Sequence, residues 1–108
     1  TMVDSHTRAI EATIENSKNL SMDVRSVLSD NGVNDNAVFD VFVGNPPYYS
    51  DYRIADVFLQ TAKNSLKDGG VCYTVCKAVE GLEAVHRKYF SNVTVINRRS
   101  YAILKSVK

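Results

Sequence analysis

The chain has 108 residues, of which 44% are hydrophobic and 23% charged, and its formal net charge is +1. This composition excludes a disordered chain, and no apolar run approaches the length of a membrane span, so we expect one soluble domain with no membrane partner. The first residues lack the basic and apolar regions of a secretory signal, which predicts a cytoplasmic protein. The small net charge neither supports nor excludes a nucleic acid partner, because a local basic patch would suffice.

The first part of the chain alternates between strand and helix patterns. A short strand ends at Asp4, and Ser5 or Thr7 is suited to cap a helix whose apolar face continues to Leu20. A second strand is predicted over residues 24–28, before a turn cluster that contains Asp30 and Asn31. A third, apolar strand then starts at Phe39.

The second part continues the alternation. The predicted elements are a helix over residues 54–66 that ends at Asp68-Gly69-Gly70, a strand over 71–76, a helix over 80–90, and two hairpin strands over 93–96 and 101–104. Strands that alternate with helices indicate an α/β fold with a layered, mostly parallel sheet. The closing hairpin predicts an antiparallel carboxyl-terminal strand.

The turn after the third strand, Asn45-Pro46-Pro47-Tyr48, contains the most informative residues of the chain. Two successive prolines prevent further strand pairing and an immediate helix, so the turn is stiff. It follows the carboxyl end of a strand, which is where open α/β sheets bind ligands. The Asn45 amide, the Pro46 carbonyl and the flat Tyr48 ring together predict a site for a planar group that bears an amine.

These motifs carry a resemblance to a known family. The matching segments are Met2-Val3-Asp4, Arg8-Ala9, Ser29-Asp30, Phe39-Asp40, Asn45-Pro46-Pro47-Tyr48, Leu66-Lys67-Asp68-Gly69-Gly70, Lys77 with Gly81, Phe90-Ser91-Asn92-Val93 and Tyr101-Ala102-Ile103-Leu104. In this order they resemble the carboxyl-terminal two thirds of a class I S-adenosylmethionine-dependent methyltransferase. The chain is similar to the ribosomal RNA guanine-N2 methyltransferases of the "methyltransferase small domain" family. Adenine-N6 methyltransferases and enzymes that methylate release-factor glutamine share the Asn-Pro-Pro-Tyr motif, but the pattern from Lys77 to Leu104 favours the guanine-N2 enzymes.

The resemblance implies a Rossmann-like sheet in a three-layer αβα arrangement. Family members begin with a strand and a glycine-rich turn that holds the methionine half of the cofactor, and the five glycines of this chain form no such turn. The missing strand would lie between the strand that ends at Asp4 and the one that ends at Asn45. We therefore expect residues 1–108 to be a partial catalytic domain without the first strand and helix. We predict that a partner segment or a homo-oligomer fills the gap.

The resemblance also implies a role for each site residue. S-adenosylmethionine would contact Asp4, Ser5, Asp30, Asn31 and Asn45; the target nitrogen would be held by Asn45, Pro46, Pro47 and Tyr48; and the substrate base and its surroundings would meet Tyr48, Tyr49 and Lys77. In particular, Asp4 would accept hydrogen bonds from the cofactor ribose, as an acidic strand-end residue does in dinucleotide folds. Methyl transfer needs no strong base here, because the sulfonium is a potent donor and orientation supplies much of the acceleration.

Two classes of function remain open from the sequence. The first is an N-methyltransferase that acts on guanine N2 of ribosomal RNA, with adenine N6 or a protein glutamine as alternative targets. The second is a non-catalytic remnant that retains the fold for binding or assembly. Cys72 and Cys76 lack metal-ligand spacing and are expected to be buried thiols, so no metal site is predicted. No role is assigned to His86, and Arg98-Arg99 is interpreted as a solvated edge.

Overall fold

The structure is a computed structural model that describes residues 1–47, 49 and 51–108. The predicted role of Tyr48 therefore lies outside the described residues. The chain divides into two compact units, Thr1–Val33 and Asn34–Lys108. In the described part of the chain, no helix is long and apolar enough to cross a membrane.

The first unit contains strand β1 (Met2–Asp4), helix α1 (Thr7–Asn19) and strand β2 (Ser26–Leu28). The two strands pair in parallel, and Asp4 lies opposite Leu28. The prediction that Ser5 or Thr7 caps α1 is wrong, because the helix begins after His6 and no side chain caps it. Instead, the backbone N–H of His6 donates to Oδ1 of Asp4 at 2.8 Å.

The second unit contains a four-stranded sheet and two helices. Its elements are β3 (Phe39–Gly44), α2 (Arg53–Ser65), β4 (Leu66–Cys76), α3 (Val79–Tyr89), β5 (Asn92–Arg98) and β6 (Tyr101–Val107). The strand order is β3-β4-β6-β5, in which β3 is parallel to β4 and β6 is antiparallel to both of its neighbours. Three strands thus run in one direction and the last strand runs against them. The predicted α/β fold with a mostly parallel sheet and an antiparallel final strand is confirmed.

Both helices of the second unit pack on the same face of the sheet, so this unit contributes two of the three predicted layers. The Phe58 ring on α2 meets the Phe42 ring on β3 edge to face, with the ring centroids 6.4 Å apart. On the same face, His86 of α3 contacts Thr74 of β4. Fully buried leucines lie between the layers: Leu59, Leu66, Leu82 and Leu104. Each contributes about 2 kcal/mol through removal from water.

The prediction that Asp68-Gly69-Gly70 ends the second helix is wrong. Helix α2 ends at Ser65, because Leu66 already has an extended backbone and begins β4. The pairing with β3 is irregular over the next residues, and the glycines lie in this irregular part of the strand. Gly69 has φ +80°, a conformation that suits glycine, so the turn chemistry produces a bulge rather than a helix terminus.

Candidate functional site

The predicted acceptor turn follows β3 directly in the second unit. Pro46 is fully buried, whereas Asn45 beside it is exposed. The buried proline ring therefore anchors the turn beside the exposed Asn45. No described residue forms a hydrogen bond with the Asn45 side chain, whose amide carries both donor and acceptor groups suited to a ligand.

The segment after the acceptor turn has an unusual backbone. Asp51 and Tyr52 have φ values of 50° and 60°, and neither is a glycine. Such residues cost about 1 kcal/mol each and persist where the surrounding structure holds them. The Tyr52 ring lies against Gly81 of α3, where no space remains for a Cβ. The Tyr52 carbonyl also accepts the N–H of Asp56 at 2.8 Å, the first turn of α2. Packing against α3 thus holds Tyr52 in place at the start of α2.

The predicted substrate residues Tyr49 and Lys77 are both exposed, Tyr49 to 66%. Lys77 follows the carboxyl end of β4, the parallel neighbour of the strand that precedes Asn45. Its Nζ lies 5.1 Å from the centroid of the Tyr101 ring. The sequence interpretation missed Tyr101, because its position beside Lys77 depends on the register between β4 and β6.

The predicted cofactor residues Asp4, Ser5, Asp30 and Asn31 all lie in the first unit. The half-buried Asp4 carboxylate is oriented by the N–H of His6, and this contact leaves Oδ2 without a hydrogen bond to a described residue. The Asp4 carbonyl accepts the N–H of Ser29 at 2.9 Å, which joins the ends of β1 and β2.

The turn after β2 therefore lies beside the end of β1, where Asp4 is located. Asp30 and Asn31 are exposed in this turn, and the N–H of Asn31 donates to Ser29 Oγ at 3.2 Å. Ser5 is exposed as well. The first unit thus presents four oxygen-bearing side chains, those of Asp4, Ser5, Asp30 and Asn31, and Oδ2 of Asp4 is suited to accept hydrogen bonds from vicinal hydroxyls.

A buried histidine joins three elements of the second unit. His86 of α3 is fully buried, with Nε2 2.7 Å from Thr74 Oγ1 on β4 and Nδ1 2.7 Å from Ser106 Oγ on β6. Burial lowers the pKa of His86 to about 4, although the Glu83 carboxylate acts in the opposite direction. The neutral ring donates one hydrogen bond and accepts the other. The sequence interpretation missed this network, because its members are distant along the chain.

Cys72 and Cys76 are buried, as predicted. Burial raises the pKa of the Cys72 thiol to about 12 and also raises that of Cys76. Both thiols are therefore protonated at neutral pH and are poor nucleophiles. Among the described residues, no cluster of His, Cys, Asp and Glu is arranged to hold a metal ion.

We expect both thiols to react slowly with a water-soluble disulfide reagent in the folded protein, because reaction needs an exposed thiolate. In urea the same reagent should modify both within the mixing time. The released thiolate can be followed by absorbance. Rapid modification of the folded protein at either cysteine would contradict the burial described above.

The comparisons with known proteins agree with this architecture. A family model described as "Methyltransferase small domain" matches residues 1–105. The ribosomal RNA small subunit methyltransferase C of Pseudoalteromonas translucida (strain TAC 125) is 29% identical over 103 residues, which cover 91% of this chain and 30% of that protein. The chain thus spans about a third of the length of this curated relative.

Solved structures show the same fold. The T. thermophilus 16S rRNA N2-guanosine methyltransferase, in complex with AdoMet and guanosine, superposes with a TM-score of 0.84 at 20% identity, over 98% of this chain and 30% of that one. A methyltransferase from Pyrococcus furiosus superposes with a TM-score of 0.80 at 21% identity, over 98% of this chain and 60% of that one. The fold is therefore that of the Rossmann-like class I methyltransferases. Because the family model matches nearly every residue, the chain belongs to the methyltransferase small domain family.

Proposed function

We propose that the protein containing this chain transfers a methyl group from S-adenosylmethionine to guanine N2 of ribosomal RNA. The observation that carries the proposal is the exposed Asn45 amide, on a turn that buried Pro46 anchors at the carboxyl end of β3. The two relatives described above, named for ribosomal RNA methylation, support this choice of substrate.

In the proposed reaction, Asn45 Oδ1 and the Pro46 carbonyl accept hydrogen bonds from the exocyclic amine of the target base. The two hydrogen bonds orient the nitrogen lone pair, which supplies the proximity and alignment that the transfer requires. Tyr48 would stack on the base, and Pro47 would keep the turn rigid. The amine proton leaves to solvent, since no strong base is needed.

The residues of the first unit fit the cofactor. The free Oδ2 of Asp4 is suited to accept hydrogen bonds from the ribose hydroxyls, with Ser5 beside it. The exposed side chains of Asp30 and Asn31 would meet the adenine and its amine. When bound, S-adenosylmethionine supplies an electrophilic methyl carbon next to a sulfonium charge.

We further propose that residues 1–108 are part of a catalytic domain whose sheet is completed by another segment. Among the described residues, β1 pairs only with β2 and β3 pairs only with β4, so each has an edge that can accept a strand. Val43 on β3 is 76% exposed, an unusual state for an apolar strand residue in a finished sheet. The segment would come from the rest of the polypeptide, from a partner or from a second copy. We also propose that the intact protein is located in the cytoplasm.

The test uses the intact protein that contains this chain. Calorimetry should detect binding of S-adenosylmethionine, and Asp4→Ala should weaken it. Asn45→Ala should retain cofactor binding but lower kcat about a hundredfold, because the target amine loses its alignment. Asp23→Ala and Asn36→Ala, at exposed positions outside the site, are the matched controls.

Mass spectrometry of the nucleosides from treated ribosomal RNA should show N2-methylguanosine. Methylated adenosine in this RNA, or methylated glutamine in a treated protein, as the product would exclude the guanine assignment and favour the alternative targets. If the folded intact protein binds no S-adenosylmethionine, the enzyme hypothesis is wrong and a non-catalytic role in binding or assembly takes its place.

A further inference from the structure

The tip of the hairpin between β5 and β6 lies at the same edge of the sheet as the acceptor turn. Arg98 pairs with Tyr101 across the hairpin, and Arg99 occupies the turn with φ 52°. On the neighbouring strand, Cys76 lies opposite Ala102, which brings Tyr101 beside Lys77. We refer to Lys77, Arg98, Arg99 and Tyr101 as the hairpin rim. It belongs to the second unit, as Asn45 does.

Carboxylates neutralise some cations of the second unit but not those of the hairpin rim. Lys67 pairs with Asp40 at 3.0 Å, Arg87 with Glu83 at 2.7 Å and Lys88 with Asp56 at 2.6 Å. The other lysines and arginines of this unit form no ion pair with a described residue. In the described part of the chain, the three cations of the rim have no carboxylate partner within ion-pair distance. The exposed carboxylates of Asp51 and Glu80 also form no ion pair with them.

The rim also contains an aromatic surface between its charges. Tyr101 is 50% exposed, and the Lys77 ammonium lies 5.1 Å from its ring centroid. A half-exposed ring among unpaired cations matches a strand of RNA, whose bases stack on aromatic rings and whose phosphates pair with lysine and arginine. An acidic peptide would use the charges but not the ring face.

The distance between the hairpin rim and the acceptor turn indicates which nucleotides of the substrate the rim can contact. Neighbouring strands are about 4.8 Å apart, and β3 and β6 are two strands apart, so Tyr101 lies roughly 10 Å from the Asn45 turn. This separation is too large for contact with the target base but suits the nucleotides beside it.

We propose that the hairpin rim binds single-stranded RNA next to the methylated nucleotide, with Tyr101 stacked on a flanking base and Lys77, Arg98 and Arg99 on its phosphates. This inference rests on the proposed function for the identity of the substrate. The rim itself contributes no group to the chemistry, so its variants should act on RNA affinity.

The test measures fluorescence anisotropy of a labelled single-stranded RNA that contains a guanosine, with the intact protein at several salt concentrations. The double variant Arg98→Gln, Arg99→Gln should weaken binding about tenfold and reduce the slope of log K against log salt by about 1.4, since two phosphate contacts are lost. The control Arg8→Gln, Lys18→Gln removes the same charge from exposed positions on α1 and should retain the wild-type slope.

Tyr101 is tested separately from the charges. Tyr101→Leu should weaken RNA binding about tenfold with the salt slope unchanged, because a stacked base is lost. Tyr101→Phe should bind like the wild type. A double arginine variant with wild-type affinity and slope would overturn the proposal, as would a rim that binds an acidic peptide or anionic vesicles but not RNA. Calorimetry with S-adenosylmethionine alone tests the proposed function. A failure of the rim to bind RNA can therefore be distinguished from a failure of the protein to bind the cofactor.

Discussion

Lowering the pH from 6.5 to 4 should destabilise this protein by roughly 3 kcal/mol through His86, because each unit of pKa difference is worth about 1.4 kcal/mol. In the folded protein the ring is neutral, since burial lowers its pKa to about 4. In the unfolded chain it takes up a proton near its ordinary value of 6.5. Between these values the unfolded state binds more protons, so stability rises with pH across the window. The stabilisation that comes from the neutral, buried His86 ring is fully present above this pH window.

Urea denaturation at a series of pH values measures this effect. The stability of the wild type should fall steeply in the window, whereas His86→Gln should show a flatter profile at a lower stability at neutral pH. His6→Gln, at an exposed histidine, is the matched control. Acidic residues also titrate in this range, so the difference between the variants isolates His86.

A second measurement does not depend on the folding of a variant. The ring nitrogen shifts of His86 in NMR spectra should remain those of a neutral imidazole down to about pH 4. A ring that titrates near 6.5 in the folded protein, or equal pH profiles for the wild type and His86→Gln, would contradict the buried Thr74–His86–Ser106 network.

Gly81→Ala should destabilise the protein by about 3 kcal/mol, although the same change in an exposed helix is stabilising by about 1 kcal/mol. The added Cβ would overlap the Tyr52 ring. That ring cannot withdraw easily, since Tyr52 has a positive φ and immediately precedes α2. Overpacking therefore outweighs helix propensity at this position.

A double-mutant cycle separates the two effects. Tyr52→Gly removes the ring and suits the positive φ, so adding Gly81→Ala in this background should be neutral or stabilising. Chemical denaturation gives the four stabilities. An increase in stability from Gly81→Ala in the wild type would show that the ring does not lie on Gly81.

Local patterns were sufficient to predict much of the fold. The apolar periodicity of α2 and of β4 identified these elements and their order, and two prolines located the stiff turn at the end of β3. The resemblance over most of the chain led to the correct family. These properties depend on residues that are close together in sequence, where the period of the side chains and the chemistry of turns dominate.

Other local predictions failed where the tertiary structure competed with them. Asp68-Gly69-Gly70 has the chemistry of a helix terminus, but pairing with β3 draws the chain into β4 from Leu66 onward. Ser5 and Thr7 are good capping residues, yet neither side chain caps α1, and the Asp4 carboxylate accepts the N–H of His6 instead.

The asparagine turn illustrates the division between the two kinds of information. Its residue types and its place at a strand end were evident from the chain alone, whereas its binding of a planar amine stays a prediction. The register of β4 with β6 decides that Lys77 meets Tyr101, and the packing of α3 decides that Tyr52 lies on Gly81 and that His86 meets two hydroxyls. Such contacts join residues that are distant in sequence, and no local pattern specifies them, because strand register and helix packing are set only when the sheet and its helices assemble.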